Sequence, residues 1–290
     1  TTDYNEIIFA NLAGSITINS PLNLSDHQHF GALGDITISS PITSSAGAFG
    51  LHATGNLNVN SNITVNGANW YDPYDLKITT PQIDLEADMD GNGSGVIDVA
   101  AAKAVRISNG GGIWIYAHDV NIGSDAVIDA KGNGTNTYTE ISIEARTGSE
   151  NIFLGDGGSS DLTLSQSEFN TFKADTVIIG GAWEDGCTGD IKIGQLSVSS
   201  NIGLLILETR GRILNNSDTS LLTAEYLNLR AYGWQNGDKN NPYSSAIGTS
   251  TSDSPLRLDV DYLIEASTTE PNNKIYLKAV GGANTTYNGT

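Results

Sequence analysis

The stretch Gly34-Asp35-Ile36-Thr37-Ile38-Ser39-Ser40-Pro41-Ile42 decides the fold of this chain. Isoleucine alternates with threonine from Ile36 to Ile38, the two-residue period of a half-buried strand. Ser40-Pro41 then ends the strand, because proline has no N–H to give to a ladder. The phrase stands twenty residues earlier as Ile16-Thr17-Ile18, Ser20-Pro21 and Leu22-Asn23-Leu24. It continues downstream at Leu57-Asn58-Val59, Leu76-Lys77-Ile78 and Ile97-Asp98-Val99, with steps of 20, 21, 19 and 21 residues. A second series follows each first strand after a brief turn: Leu22, Ile42, Ile63, Ile83 and Val105, with steps of 20, 21, 20 and 22. Thr80-Pro81 repeats the punctuation, and Gly34 and Gly55 open rungs.

Two strand series with one shared period imply coils stacked into a solenoid. Alternation puts Ile16 and Ile18 on one side of the strand and Thr17 on the other, so successive coils align aliphatic side chains inside. No coil buries enough surface to offset its own ordering entropy, and stability comes from neighbours. The expected fold is all-β, a parallel β-helix, as one continuous domain over residues 1–290. Coils of about 20 residues are regular in 15–110. They are less regular, with loop insertions, in 111–290. There the strands Ile113-Trp114-Ile115, Val120-Asn121-Ile122, Ile141-Ser142-Ile143, Leu162-Thr163-Leu164, Val177-Ile178-Ile179, Ile191-Lys192-Ile193, Leu205-Ile206-Leu207, Leu227-Asn228-Leu229 and Ile275-Tyr276-Leu277 lose strict register. A short helix is expected within 166–175.

Composition agrees. The 290 residues include 33 Gly but one Met and one Cys, Cys187, so no disulfide can form within the chain. Acidic residues number 33 against 14 basic, a net charge of −19, which repels phosphate backbones and anionic headgroups. Nucleic acid is excluded as a partner, and no apolar run reaches the ~20 residues of a membrane span. The chain opens Thr-Thr-Asp without Met, which reads as a piece of a longer polypeptide.

Leu222-Thr223-Ala224-Glu225-Tyr226-Leu227-Asn228-Leu229, then Ala246-Ile247-Gly248-Thr249, Pro255-Leu256-Arg257-Leu258-Asp259-Val260-Asp261, Ile264-Glu265-Ala266 and Lys274-Ile275-Tyr276-Leu277 form a sequence pattern. This pattern resembles the repeat regions of filamentous haemagglutinin-like bacterial exoproteins, most closely over residues 222–280. The resemblance implies a right-handed parallel β-helix (solenoid), secretion to the bacterial cell surface and an adhesive role. The Asn-Pro-Asn motifs typical of that family's secretion domain are absent, which points to a repeat region.

Three groups of residues are candidates for chemistry. Asp88-Met89-Asp90-Gly91-Asn92-Gly93 matches the first half of an EF-hand-type loop, with oxygens at positions 1, 3 and 5 and glycine at 6. Position 12 is Val99, so Asp98 or Glu86 would have to close a Ca²⁺ site built on Asp88, Asp90 and Asn92. The alternative is an acidic glycine-rich turn between coils. Asp26-His27-Gln28-His29 places two histidines on one face if extended, too few for zinc, and His52 and His118 have no evident local partners. Trp70, Tyr71, Tyr74, Trp183 and Trp234 fall in turn-like segments beside Asp and Asn, where aromatic faces stack on sugar rings. The alternative is that these rings cover coil edges.

Asp84 and Glu86 share a strand face within a dense carboxylate patch. The Asn-Thr-Asp, Asp-Asp, His-Gly and Arg-Ile-Lys motifs of pectin-degrading β-helices are missing, as are nucleophile elbows and phosphate loops. The expectation is a non-enzymatic structural and adhesive segment contacting host or bacterial cell-surface glycans or proteins. A polysaccharide-active enzyme and a ligand-free stalk are the rivals.

Overall fold

The computed structural model describes residues 7–11, 14–72, 77–133, 138–147, 150–155, 161–181, 189–232, 246–248, 255–268, 275–280 and 286–287. They fall into two compact units, residues 1–142 with 171–175 and residues 143–170 with 176–290. Both are parallel β-helices.

In the first unit each coil carries three short strands. The chain runs β1 (Ile7–Asn11), β2 (Ile16–Ile18), β3 (Leu22–Leu24), β4 (Gln28–Ala32), β5 (Ile36–Ile38), β6 (Ile42–Ser44), β7 (Ala48–Ala53), β8 (Leu57–Val59) and β9 (Ile63–Val65). It continues as β10 (Trp70–Asp72), β11 (Lys77–Thr79), β12 (Gln82–Glu86), β13 (Val96–Val99), β14 (Ala104–Ile107), β15 (Gly112–Ala117), β16 (Asp119–Ile122) and β17 (Val127–Asp129). The first face pairs β2, β5, β8, β13 and β16 in parallel, so Ile16, Ile36, Leu57, Ile97 and Val120 lie in one row. The second face pairs β3, β6, β9, β14 and β17, with Leu22, Ile42, Ile63, Val105 and Ile128 in register. Ile36, Leu57, Ile63, Ile97 and Val105 are fully buried, as alternation requires.

The corners stack as well. Ile16 N–H donates to Asp35 O at 2.8 Å and Ile36 N–H to Asn56 O at 2.9 Å. Where backbone partners give out, asparagine side chains replace them: Asn56 Oδ1 accepts from Val96 N–H at 3.0 Å and Asn62 Oδ1 from Ala104 N–H at 2.9 Å. The Val96 bond satisfies a part-buried group that would otherwise be penalised.

Three expectations are corrected. Lys77-Ile78 is no rung: β11 pairs antiparallel with β10 as a hairpin, and β8 pairs directly with β13. Likewise Ile63 pairs directly with Val105. One coil therefore spans the 40 residues from Leu57 to Ile97. An insertion close to one period in length imitated an extra coil. Ile83-Asp84-Leu85 belongs to a third face, where β12 pairs with β7 on one side and β15 on the other. That face also holds β1 and β4. Third, Trp70 and Tyr71 stand in a strand of the hairpin and not in a turn.

In the second unit Leu162–Leu164, Ile152–Leu154, Ile191–Ile193, Arg212–Asn215 and Ala246–Ile247 form one parallel run. The eleven-residue strand Leu221–Ala231 pairs with Gln195–Ser197 through its first half and with Ile202–Thr209 through its second. Its other edge meets Leu256–Thr268. Of the residues of the family-like pattern, Leu222, Leu227, Leu229, Leu256 and Leu258 are buried, whereas Ile264 and Ile275 are exposed. A register shift after Leu227 pairs Asn228 with Glu265, and Ile264, the residue left over, is exposed. The expected helix is four residues long, Gln166–Phe169, closed by a capping box between Ser165 and Glu168. A strand, Phe172–Ile179, follows at once.

Leu57→Ala is expected to lower stability by about 2–5 kcal/mol, the cost of a cavity in a row that cannot collapse. Asn58→Ala, one residue along on the outer side, is expected to change it by under about 1 kcal/mol. Urea unfolding midpoints of the two variants check the inside–outside assignment.

Candidate functional site

The third face of the first unit is the one the repeat did not reveal, and it brings together histidine, carboxylate and tryptophan side chains. Along β4, β7, β12 and β15 the buried positions are Phe30, Phe49, Leu51, Ile83, Leu85, Ile113 and Ile115. Alternation turns their neighbours outward. Register places His29, Gly50, Asp84 and Trp114 in one lateral row. Gly31, His52, Glu86 and Tyr116 form the next row. Residues up to 87 positions apart in the chain thus meet on four adjacent strands.

The histidines form a chain. His29 Nδ1 and His52 Nε2 are 2.7 Å apart and their rings stack at 5.0 Å, 15° from parallel. On its other side His52 Nδ1 is 3.2 Å from Glu86 Oε2. With Glu86 ionised, His52 Nδ1–H donates to the carboxylate, His52 Nε2 accepts, and His29 Nδ1–H is the donor to it. Gly50 makes this possible. A Cβ there would come within 2.3 Å of His29 Nδ1 and 2.6 Å of His52 Nε2, so both imidazoles occupy the space of the missing side chain.

Two nitrogens on one tetrahedral zinc at about 2.0–2.1 Å would sit roughly 3.3 Å apart. The 2.7 Å contact is a hydrogen bond and not a shared metal. Among the described residues no three His, Cys, Asp or Glu side chains are grouped to hold a metal ion.

Asp84 is the unusual member. No described residue donates a hydrogen bond to its carboxyl. Burial pushes it up to about 6 from the ordinary 3.8; His52 offsets part of that rise and Glu86 adds to it. Beside it, the Trp114 indole folds back over the backbone of Gly112, where a Cβ would lie 2.8 Å from the ring. The outer edge of the indole therefore lies close to the strand at Gly112.

The other predicted site residues lie elsewhere. Asp88 is fully buried, in the left-handed region at φ 58°, and accepts from Asn92 N–H and Gly93 N–H at 3.0 Å each. Asn92 Nδ2 donates to Asp90 Oδ2 at 2.9 Å. Both Asp88 oxygens are engaged inside their own turn, and a Ca²⁺ ion would have to compete with those amides. Asp98 stands on the outer side of β13, in register with Asn58 and Asn121. Trp70 and Tyr71 belong to the hairpin that enters the chain just before β12. Tyr74, Trp183 and Trp234 lie outside the described residues. His27 Nε2 accepts from Gly47 N–H at 3.3 Å.

The chain matches no family model, no curated protein and no solved structure.

Below pH about 3.8 Asp84 is protonated whether the chain is folded or not, and it contributes nothing. As pH rises the unfolded chain ionises first, so the fold loses stability until the folded value of about 6 is passed. At about 1.4 kcal/mol per unit, the cost at neutral pH is roughly 2–3 kcal/mol. Asp84→Asn is therefore expected to raise the unfolding midpoint at pH 7.5 and to leave it unchanged at pH 3.5. Denaturant titrations at the two pH values check the sign.

Proposed function

We propose that this chain is a structural and adhesive β-helix segment of a secreted bacterial surface protein, and that it attaches to glycans of host or neighbouring cells. The likeness of residues 222–280 to haemagglutinin-like exoprotein repeats supports the setting. The observation that carries the binding role is the third face of the first unit. There the register of four strands sets Asp84, Glu86 and the His29–His52 pair beside Trp114.

Glycans are the ligand class this face suits. An indole face stacks on the apolar side of a pyranose, while carboxylate and imidazole groups take its hydroxyls as donors and acceptors. The outward positions of β4, β7, β12 and β15 hold no Lys or Arg, and the whole chain carries −19, so anionic polymers are disfavoured.

An array of immobilised neutral oligosaccharides probed with the whole chain tests this. Binding is expected to fall at least about tenfold, or about 1.4 kcal/mol, in Trp114→Ala. Silence across the array, with a folded protein, would leave a stalk without a ligand of its own. Unchanged binding in Trp114→Ala would move the site off this face.

A further inference from the structure

We propose that one corner of the second unit is a docking site for a basic protein segment, whose arginine and lysine side chains lie across Tyr226 and Tyr262 with their charges on Glu225 and Asp261. The proposal is independent of the glycan-binding face of the first unit.

The sequence repeats at this corner. Ala224-Glu225-Tyr226-Leu227 and Val260-Asp261-Tyr262-Leu263 each set an acidic residue and a tyrosine between two apolar residues. Ala224, Leu227, Val260 and Leu263 are buried. Two residues between inward positions break the alternation of a strand, so both members of each pair go outward together. Glu225, Asp261 and Tyr262 are exposed, and Tyr226 is half-buried. Register sets Ala224 beside Val260 and Tyr226 beside Tyr262, so the acidic–tyrosine step of one coil lies over that of the next.

The two tyrosines stack, with ring centroids 4.9 Å apart and planes 10° from parallel. Even with that contact Tyr262 is 46% exposed, and Ile264, two residues on, is 43% exposed. Aromatic and aliphatic surface is therefore left in water at one place. A guanidinium stacks on such rings, and the stems of arginine and lysine cover apolar surface while the charge stays outside.

The polar groups at the corner call for a cation. Glu225 and Asp261 stand on neighbouring strands, a like-charge arrangement that costs stability. Desolvation first, and then Glu225, Tyr262 and Asp261, raise the Tyr226 hydroxyl above its ordinary range. Among the described residues no Lys, Arg or His forms an ion pair with Glu225 or Asp261. The contrast lies on the same strand, where Arg230 is 3.4 Å from Glu208 and 2.9 Å from Glu265 and joins the carboxylates of successive coils. Between Tyr226 and Arg230 stands Asn228, turned to the same side by the buried Leu227 and Leu229. It is 5% exposed, and its Oδ1 accepts no hydrogen bond from any described group. An orphaned acceptor of this kind is costly, and a donor brought to it relieves the cost.

Basic protein is the partner of matching chemistry. Arginine and lysine bring donors without acceptors, which suits two carboxylates and an amide oxygen. Their stems suit Ile264 and the tyrosine edges, and the −19 charge of the chain draws them in.

Fluorescence anisotropy of labelled nona-arginine and nona-lysine peptides, titrated with the whole chain at neutral pH and about 0.15 M salt, tests the site. Saturable binding is expected, tighter for nona-arginine, because the planar guanidinium stacks on the rings. Tyr262→Ala leaves the net charge unchanged and is expected to weaken binding at least about threefold. Tyr262→Phe is expected to restore it. Glu225→Gln combined with Asp261→Asn is expected to weaken it at least about fivefold. Asp98→Asn, which removes an outward carboxylate from the first unit, is expected to leave it unchanged. Unfolding midpoints confirm that each variant is folded. No saturable binding of either peptide would overturn the docking site. Full binding in Tyr262→Ala, or an equal loss in Asp98→Asn, would overturn it too, since the attraction would then belong to the acidic surface as a whole. Nona-lysine binding as tightly as nona-arginine would overturn the stacking role of the rings.

Discussion

Register between coils is the constraint on which the rest of the first unit depends. Hydrogen bonds between parallel strands fix which residue lies over which, and alternation then decides which side chains are inside. A slip of one residue between β7 and β12 would turn Ile83 and Leu85 to solvent and drive Asp84 and Glu86 into the apolar interior. The aliphatic rows forbid that slip. They thereby hold His52 opposite Glu86, so the geometry of the polar face is set by the core beneath it.

Much of this was legible in the residues. Ile36-Thr37-Ile38 and its repeats announced the first two faces, since β-branched residues with a polar neighbour between them have few other places to go. The third face was not announced. Its outward positions hold Gly31, Gly50, His29 and His52, which carry no strand signal, and Gly50 is needed for imidazole packing and not for the sheet. Between Leu57 and Ile97 the sequence imitates two coils because an inserted hairpin of nearly one coil's length contains its own alternating segment around Ile78. That the carboxyls of Asp84 and Glu86 share a face follows from spacing alone. Their histidine partners do not, because a contact between His52 and Glu86 exists only once the intervening hairpin is excluded from the coil count.

The site runs against the stability of its own scaffold. Asp84 sits where an apolar or amide side chain would be tolerated better at neutral pH, and His52 offsets only part of the cost of its burial. Several other charges are matched: Arg230 is 2.9 Å from Glu265 and 3.4 Å from Glu208, and Arg212 is 2.6 Å from Asp190.

The hairpin of β10 and β11 has a meaning of its own. It leaves the solenoid after β9 and returns at β12, and the ladders on both sides join as if it were not there. A corner that takes in a folded extra segment without disturbing its neighbours behaves as a socket. Variation in length and sequence can gather at that corner while the rows of stacked isoleucines stay unchanged, and each new segment opens next to the strand that bears Asp84 and Glu86. A lineage built on this plan can therefore exchange the segment at that corner while keeping its framework.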